Sequence, residues 1–384
     1  MEDETGRVSQ QESVSSQQNR FNSTAYCSLI LAMTNMSTSA GPDTFPPMNR
    51  VVIAPNWIGD AVMSLPVLRA LRAAYPQDSL AVLARRGPAA IYRAEGSADS
   101  VLERAGVFSD AAALARGRFD EAWLLPNSFR AAAIAFLSGT RRRVGYATDH
   151  RGPLLTDAAR PPSGTEHQLR DYDQLLALRG VAPDTEAPRL PISEAAAERA
   201  EAVLALADLP AGRGLVLLAP GSAVAPTKRW PAQRFGALGD RLAERRWSCA
   251  LIVGPTEQAL GAAASSCAKS PLPVLGADLD PLELAALAAR ASLVVGNDSG
   301  PMHLAAAVGT PVVAFFGPTD PGRTAPSGAP SRVLDRYVFC SPCFLDECPY
   351  EHQCMTEITV EMALRACEEL LACHPEQRSD EGPL

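Results

Sequence analysis

One short segment, residues 297–303, combines a predicted helix start with a side chain that could do chemistry. It reads Asn-Asp-Ser-Gly-Pro-Met-His and lies between an apolar run and a stretch of small residues that ends at Gly309. Ser299 is a preferred N-cap, Pro301 suits the first helical turn and Gly309 suits the helix end. His303 follows Ser299 by four residues, so it lies about one helical turn away and can reach the same ligand. Because a helix start carries unpaired N–H groups and a positive dipole end, the segment predicts a phosphate cradle rather than an ordinary capped helix.

A carboxylate stands where the first predicted strand passes into the first predicted helix. Asp60 follows Gly59 at this junction, where its side chain would project into a cleft. A helix N-terminus favours the ionised carboxylate, which could accept a proton from an incoming hydroxyl group. The alternative is that Asp60 only caps the helix, since Asp is a preferred cap residue.

A second loop, residues 221–231, offers both a hydroxyl group and a cation. Ser222 lies directly after a predicted strand, and Lys228 follows in the same loop. Lys228 could neutralise a diphosphate leaving group, which stabilises charge where it develops. The neighbouring Arg229 and Trp230 are interpreted as structural residues, because Trp packs and surface arginines are common.

Two further carboxylates follow predicted strands in the second half of the chain. Glu257 could accept hydrogen bonds from both hydroxyls of a ribose, or it could be a solvated acid at a helix start. Asp298 would repel a phosphate, so it meets sugar hydroxyls, is bonded within its own loop, or shares a cation with the phosphate. We expect sugar hydroxyls. The sequence nearby has no carboxylate cluster of the kind that Mg²⁺ uses, so dependence on a divalent cation stays open.

A group of cysteines near the end of the chain could bind a metal ion. Cys340, Cys343, Cys348 and Cys354 have the spacing C-x2-C-x4-C-x5-C, with His352 inside the last interval. Four thiolates, or three thiolates and an imidazole, would satisfy tetrahedral Zn²⁺. The spacing differs from that of paired C-x2-C knuckles, so a structural zinc and free or oxidised thiols are both open interpretations.

The elements that must position these residues alternate between strand and helix. A stretch rich in Pro, Ala and Glu, residues 181–214, separates two halves that each show this alternation. The pattern predicts an α/β fold of two Rossmann-like, doubly wound parallel-sheet domains, with ligands in the cleft beyond the carboxyl ends of the strands. The predicted strands are residues 50–55, 80–84, 101–103, 121–125, 143–146, 215–219, 250–254, 293–296 and 312–316.

Composition sets the predicted domain boundaries. Residues 1–47 are rich in Ser, Gln, Asn and Thr, and the change at Met48 marks the start of the folded chain. The predicted segments are a disordered extension (1–47), a first domain (48–192), a linker with a helix (193–214), a second domain with the cysteine group and a C-terminal helix (215–374), and a disordered acidic tail (375–384).

The overall composition excludes several classes of protein. The net charge is −8, and most of it lies in the two terminal segments, so the nearly neutral body argues against nucleic-acid binding. No apolar run approaches the ~20 residues that span a bilayer, and the acidic start lacks the basic region of a secretory signal. The sequence therefore predicts a cytoplasmic protein, whose nine cysteines would be free or metal-bound.

Four separated motifs together resemble the lipopolysaccharide heptosyltransferases, glycosyltransferase family 9, and the type II enzymes of the inner core are the closest match. The motifs occur in the family's order within residues 48–370. The resemblance implies a GT-B fold, in which an N-terminal acceptor domain faces a C-terminal donor domain across a cleft. The motifs are residues 53–63, 126–130, 228–231 and 297–321.

The resemblance also implies a reaction, the inverting transfer of L-glycero-D-manno-heptose from ADP-heptose to a heptose of the inner core. The acceptor would be a Kdo-lipid A core that carries heptose, no cofactor would be required, and contact with the inner membrane would be peripheral. A type I or III enzyme with another acceptor is an alternative, as is a nucleotide-sugar epimerase of similar fold. A non-catalytic paralogue would have lost Asp60 or Lys228, and a dehydrogenase would need G-x-G-x-x-G after the first strand; the sequence fits neither.

Individual roles also come from the resemblance. Asp60 matches the general base, and Lys228 matches the cation that stabilises the departing ADP. Because the implied acceptor is anionic, we expect arginines on the acceptor side of the cleft to bind it. The implied donor-binding residues are Ser222, Lys228, Glu257, Asp298, Ser299, Gly300, Met302 and His303, and the implied acceptor-binding residues are Asn127, Ser128, Arg130 and Arg143, the last within the arginine run 141–143.

Overall fold

The fold is known from a computed structural model that describes residues 47–161, 164, 166–210, 214–223 and 225–372. All of its helices and strands belong to the compact unit that begins at Met48. The predicted disordered segments, residues 1–47 and 375–384, lie outside the described residues, apart from Pro47.

Twelve described strands form two parallel sheets of six strands each. Both sheets have the doubly wound order in which the chain starts in the middle, moves to one edge and then returns to build the other edge. The first sheet has the order β3-β2-β1-β4-β5-β6, with β1 Asn49–Ile53, β2 Ser79–Ala84, β3 Ser100–Glu103, β4 Glu121–Leu124, β5 Arg142–Tyr146 and β6 Asp157–Ala159. The second has the order β12-β11-β10-β7-β8-β9, with β7 Leu215–Ala219, β8 Ser248–Ile252, β9 Val274–Leu275, β10 Leu293–Asn297, β11 Val312–Phe316 and β12 Ser331–Asp335.

Helices connect the strands and cover both faces of each sheet. Among the described helices, none is both long enough and apolar enough to cross a membrane. The helices are α1 Ile58–Met63, α2 Leu65–Ala74, α3 Arg86–Glu95, α4 Val107–Gly117, α5 Phe129–Leu137, α6 Gln168–Ala177, α7 Glu194–Leu206, α8 Ala232–Ala243, α9 Gln258–Ser266, α10 Pro281–Ala289, α11 Gly300–Ala307, α12 Pro321–Thr324, α13 Gln353–Thr356 and α14 Val360–Ala372.

Burial on both faces explains why the central strands read as continuous apolar runs in the sequence. In β1, Val52 packs into the core cluster on one face of the first sheet, whereas Val51 and Ile53 pack into the cluster on the other face. All five residues of β7 are buried in the same way. A strand of a parallel sheet covered by helices on both sides needs apolar side chains in both directions.

Helices α1 and α11 bring the two sheets face to face. A Cβ added to Gly59 would lie 2.5 Å from His303 Cδ2, and one added to Gly300 would lie 3.1 Å from Ile58 Cβ. The two helices can approach this closely only because neither glycine carries a side chain. The contact places the loops at the carboxyl ends of both sheets around one cleft.

Candidate active site

A cavity of about 560 Å³ lies in this cleft, between α1 on one side and the loops of the second sheet on the other. Its volume is in the range of small-molecule binding sites, roughly 300–1,000 Å³. It brings together most of the residues that the sequence predicts for the site. The predicted residues that line it are Asp60, Ser222, Lys228, Glu257, Asp298, Ser299, Gly300 and His303.

Asp60 lies in the first turn of α1, and Trp57 rather than Asp60 occupies the N-cap position of this helix. The Asp60 carboxylate accepts a hydrogen bond of 3.4 Å from Gln168 Nε2. Burial raises the pKa of Asp60, and this effect exceeds the lowering by the Gln168 hydrogen bond and by the charge of Lys228. The helix dipole predicts the opposite direction, so here desolvation dominates and makes the carboxylate a stronger base than an ordinary Asp.

Lys228 and Asp298 form an ion pair at the opposite wall of the cavity. Lys228 Nζ donates to Asp298 Oδ2 at 2.7 Å, and the Thr324 hydroxyl lies 3.4 Å from Asp298 Oδ1. The carboxylate is thus bonded within the site, and its contact with sugar hydroxyls stays a prediction. The pair also answers the predicted charge conflict, because Lys228 neutralises the Asp298 carboxylate that would otherwise repel a diphosphate.

The helix start at residues 299–303 matches the sequence prediction only in part. Ser299 is the N-cap of α11, and Gly309, just beyond its end, has a φ of +85°. However, the Ser299 hydroxyl donates to Asn297 O at 3.2 Å, and the Met302 N–H donates to Ser299 O at 3.2 Å. Because Pro301 has no N–H, the cradle offers fewer free amides than a capped helix start would suggest.

His303 faces the cavity as a neutral ring. Burial lowers its pKa to about 4, although the nearby Asp298 carboxylate acts in the opposite direction. At neutral pH the ring therefore carries no charge and can hydrogen-bond a phosphate oxygen only through an N–H. Gly59 packs directly against this ring.

Glu257 projects one carboxylate oxygen that lacks a partner in the described part of the chain. Its Oε2 accepts from the Gly254 N–H at 3.1 Å, whereas Oε1 is buried with no hydrogen bond. A Cβ on Gly221 would overlap this carboxylate, so a larger residue there would displace the Glu257 side chain. A buried, unpartnered acceptor on the cavity wall favours a ligand hydroxyl as its partner over the alternative of a solvated acid.

Asn297, at the end of β10, holds both ends of the loop that follows β7. Its side-chain amide donates to Pro220 O at 2.8 Å and to Gly221 O at 3.1 Å, and its Oδ1 accepts from the Trp230 N–H at 2.9 Å. The Trp230 ring packs on Phe315 with ring centroids 4.5 Å apart, which confirms its interpretation as a structural residue. The Lys228 turn and the Gly221 loop are thus fixed to the strand that precedes the phosphate cradle.

Replacing Asn297 with alanine should lower the free energy of unfolding by about 3 kcal/mol, because three buried backbone groups would lose their partner. Urea denaturation of wild type and Asn297→Ala measures this change. Gln233→Ala, at an exposed amide side chain of α8, is the control and should change stability by less than ~0.5 kcal/mol. Equal losses in the two variants would contradict the role assigned to Asn297.

Two predicted binding residues lie elsewhere. Met302 is 1% exposed in the core beneath the second sheet, because its position on α11 points away from the face that carries His303. Arg143 lies near the start of β5, at the edge of the first sheet opposite the cleft, and its Nε donates to Leu154 O at 2.6 Å. The predictions of a donor-side Met302 and an acceptor-side Arg143 are therefore wrong.

The other predicted acceptor residues follow β4 at the carboxyl edge of the first sheet, although the described residues that line the cavity do not include them. The Ser128 hydroxyl caps α5 through the Ala131 N–H at 3.4 Å. Asn127 Oδ1 accepts from Arg151 Nη2 at 3.4 Å, and Arg130 is exposed. An acceptor role for Asn127, Ser128 and Arg130 stays a prediction.

The cysteine group lines a separate small cavity of about 20 Å³, together with His352. Burial, followed by the three neighbouring thiols, raises the pKa of Cys354 to about 11. The His352 ring is hydrogen-bonded to the Thr227 carbonyl. Within the described ranges, no group of three or more His, Cys, Asp or Glu side chains is arranged to hold a metal ion. The structure therefore does not support the predicted zinc site at Cys340, Cys343, Cys348 and Cys354.

Sequence reasoning missed two polar residues that face the cleft. Gln168 reaches Asp60 from α6, and a contact across 108 positions leaves no local pattern in the sequence. Arg323 lines the cavity and donates to Asp171 Oδ2 at 2.5 Å. Its position two residues beyond the recognised motif 297–321 was a signal that could have identified it.

Comparison with known proteins shows which enzyme family the chain is similar to. The chain matches the model of glycosyltransferase family 9 (heptosyltransferase) over residues 107–354. It is 30% identical to lipopolysaccharide heptosyltransferase 2 of Salmonella typhimurium, covering 75% of this chain and 88% of that protein. It is 28% identical to lipooligosaccharide heptosyltransferase 2 of Haemophilus influenzae, covering 85% of this chain and 100% of that protein.

Solved structures agree in fold. The E. coli ADP-heptose lps heptosyltransferase II superposes with a TM-score of 0.72 at 24% identity, covering 85% of this chain and 99% of that chain. A glycosyl transferase family 9 protein from Veillonella parvula gives a TM-score of 0.74 at 24% identity, covering 85% and 97%. These matches confirm the predicted GT-B fold. With the family model covering well over half of its length, the chain belongs to glycosyltransferase family 9.

Proposed function

We propose that this glycosyltransferase moves L-glycero-D-manno-heptose from its ADP-activated form to a heptose of the lipopolysaccharide inner core. The names of its relatives and the family support this substrate class. The observation that carries the proposal is the cavity itself, in which the half-buried Asp60 carboxylate faces Lys228 and a phosphate cradle. A base and a cation on opposite walls are what a transfer from a diphosphate donor requires.

The reaction follows from this division of the cleft. The acceptor hydroxyl gives its proton to Asp60 as its oxygen attacks the anomeric carbon of the heptose. The bond from that carbon to the diphosphate oxygen breaks, and its electron pair leaves with ADP, whose developing charge Lys228 stabilises. Attack from the face opposite the leaving group inverts the configuration at the anomeric carbon.

The donor would lie along the loops of the second sheet. The free Oε1 of Glu257 would accept from the ribose hydroxyls, while Ser299 and Gly300 at the start of α11 would hold the diphosphate. His303 would add a neutral N–H donor, and Ser222 borders the same cavity.

The domain assignment is part of the same proposal. Residues 48–192 would hold the acceptor and residues 215–374 the donor. The helix of the intervening segment 193–214, α7, packs with Ala200 and Leu204 into the core of the second sheet, so it would move with the donor domain. An anionic lipid acceptor would place the enzyme on the cytoplasmic face of the inner membrane, in peripheral contact with it.

Mass spectrometry of core acceptors tests the proposal. Purified acceptors that carry zero, one or two heptoses are incubated with ADP-heptose, and the acceptor with one heptose should gain the mass of a second. Gain by the acceptor with no heptose would instead assign type I activity, and gain by the acceptor with two would assign type III. Release of ADP without any acceptor would favour an epimerase-like reaction and contradict the proposal.

A further inference from the structure

Segment 343–345 carries an exposed aromatic ring at the wall of the large cavity. The Phe344 side chain lines this cavity, although the residue is 63% exposed. Its backbone has a φ of +55°, in the left-handed region that a residue with a Cβ rarely adopts. Strained backbone of this kind persists only where surrounding contacts impose it, and it is concentrated at ligand sites. The combination of an exposed ring and a strained backbone is therefore typical of a side chain that meets a ligand.

Hydrogen bonds to two loops of the second sheet impose this conformation. The N–H groups of Cys343 and Phe344 both donate to Pro318 O, at 3.0 and 2.8 Å. The Leu345 carbonyl accepts from the Thr227 hydroxyl at 2.7 Å. Pro318 belongs to the loop after β11 and Thr227 to the loop after β7, and the strand between them, β10, leads into the phosphate cradle. The segment thus bridges the two loops that flank the cradle, and it holds the ring there.

The order of the strands places this ring at one end of the donor. Across the second sheet, β8, β7, β10 and β11 are successive neighbours. Glu257 follows β8, Lys228 follows β7 and Ser299 follows β10. In the proposed function these three residues take the ribose and the diphosphate. The loop after β11, which holds Phe344, is three strand spacings, or about 14 Å, from the loop that takes the ribose, so the ring lies beyond the diphosphate.

The loop that holds the ring also presents a polar group without a partner. Thr319 follows Pro318 and lines the cavity, and its hydroxyl is buried with no hydrogen-bond partner in the described part of the chain. A buried hydroxyl is costly unless a ligand completes its hydrogen bonds. An apolar ring and an open hydroxyl together suit a sugar, because a sugar ring has C–H faces and hydroxyl edges. A phosphate group gains nothing from an aromatic face, which carries partial negative charge.

We propose that Phe344 is a specificity residue whose ring packs on a C–H face of the transferred sugar, while the Thr319 hydroxyl bonds one of the hydroxyls of that sugar. The negative face of the aromatic ring attracts the partially positive C–H groups. This contact would hold the anomeric carbon toward Asp60 across the cavity. That the sugar is a heptose rests on the proposed function, whereas the sugar contact rests on Phe344, Thr319 and the order of the strands.

Donor binding by Phe344→Ala tests the contact. Calorimetry compares ADP-heptose with ADP, which has the same nucleoside and diphosphate but no sugar. The Kd of ADP-heptose should rise about fivefold, the effect of losing one aromatic contact, whereas the Kd of ADP should change less than about twofold. Phe344→Tyr keeps the flat face and should bind both ligands as wild type does, whereas Phe344→Leu should resemble Phe344→Ala. No change for ADP-heptose, or an equal loss for ADP, would overturn the contact.

Phe339→Ala is the matched control. Phe339 is also near the cysteine group and is 77% exposed, but it is not among the described residues that line the large cavity. Its truncation should leave both dissociation constants within about twofold of wild type. A loss of ADP-heptose binding as large as that in Phe344→Ala would show a general disturbance of this region and would refute the role of the ring.

Thr319→Val tests the second half of the contact. The substitution replaces the hydroxyl with a methyl group of the same shape. The Kd of ADP-heptose should rise about fivefold, as expected for the loss of one hydrogen bond, and the Kd of ADP should stay the same. Unchanged binding of ADP-heptose would show that the sugar does not meet this hydroxyl.

Stability separates a ligand contact from a structural role. Glycine adopts a positive φ without strain, so Phe344→Gly should have a higher urea midpoint than Phe344→Ala and yet bind ADP-heptose no more tightly. A ring that supported the fold would instead place the midpoints of both variants well below that of wild type. That result would contradict the proposal.

A panel of donors separates this proposal from the proposed function. If wild type bound ADP-glucose but not ADP-heptose, the proposed function would fail, and the comparison of ADP-glucose with ADP in Phe344→Ala would still test the ring. If wild type transferred heptose while wild type and Phe344→Ala bound ADP-heptose equally, the function would stand and the sugar contact would be wrong.

Discussion

Asp60→Asn should lower kcat for heptose transfer by about 10³-fold, within the range that a positioned general base contributes. The amide has the shape of the carboxylate and can still meet Gln168, but it cannot take the proton of the acceptor hydroxyl. Because Asp60 lies across the cavity from the donor loops, the dissociation constant of ADP-heptose should change less than about twofold. Turnover within tenfold of wild type would show that another group is the base.

The pH dependence of the reaction gives an independent readout of the same residue. Burial raises the pKa of Asp60, so the carboxylate begins to protonate at a higher pH than an ordinary Asp, whose pKa is about 3.9. Transfer requires the ionised form, so kcat/KM should fall as the pH is lowered through this raised pKa. Gln168→Leu removes a hydrogen bond that lowers the pKa and should shift the acidic limb to still higher pH. A limb at the ordinary Asp pKa in wild type would contradict the assignment.

The sequence predicted the central strands well because their burial leaves a direct record in residue type. β7 and β11 are apolar throughout, and their bounds match the predicted strands at 215–219 and 312–316. The three missed strands, β6, β9 and β12, are all at sheet edges. Edge strands are short or partly exposed, so they lack the apolar run that identifies a strand covered on both faces.

In the site, too, the sequence predicted only the features that depend on neighbouring residues. Lys228 lies in a loop beyond a strand, and Ser299 lies at a helix start. Both positions can be predicted from the neighbouring residues in the sequence. The pairing of Lys228 with Asp298 and of Asp60 with Gln168 depends on distances between separate loops, across 70 and 108 positions. Arg143 was misplaced by the resemblance, although it begins the predicted strand 143–146 and the cleft lies beyond the carboxyl ends of the strands.

Lys228→Met should reduce kcat by about 10²- to 10³-fold, the loss expected when a group that stabilises developing charge is removed. The variant also has a second consequence, which follows from the ion pair. Asp298 is only 6% exposed in its side chain, and without Lys228 it would present an uncompensated carboxylate to the diphosphate. The affinity for ADP-heptose should therefore fall together with turnover.

The double variant Lys228→Met/Asp298→Asn separates these two effects. Removing the carboxylate relieves the repulsion, so the binding of ADP-heptose should recover most of the affinity lost in Lys228→Met. Turnover should stay low, because no cation meets the charge that develops on the departing ADP. Calorimetry for donor binding and single-turnover kinetics for transfer measure the two quantities, with Asp298→Asn alone as the control that keeps the cation. If the double variant recovered turnover along with binding, Lys228 would serve to neutralise Asp298 rather than to stabilise the leaving group.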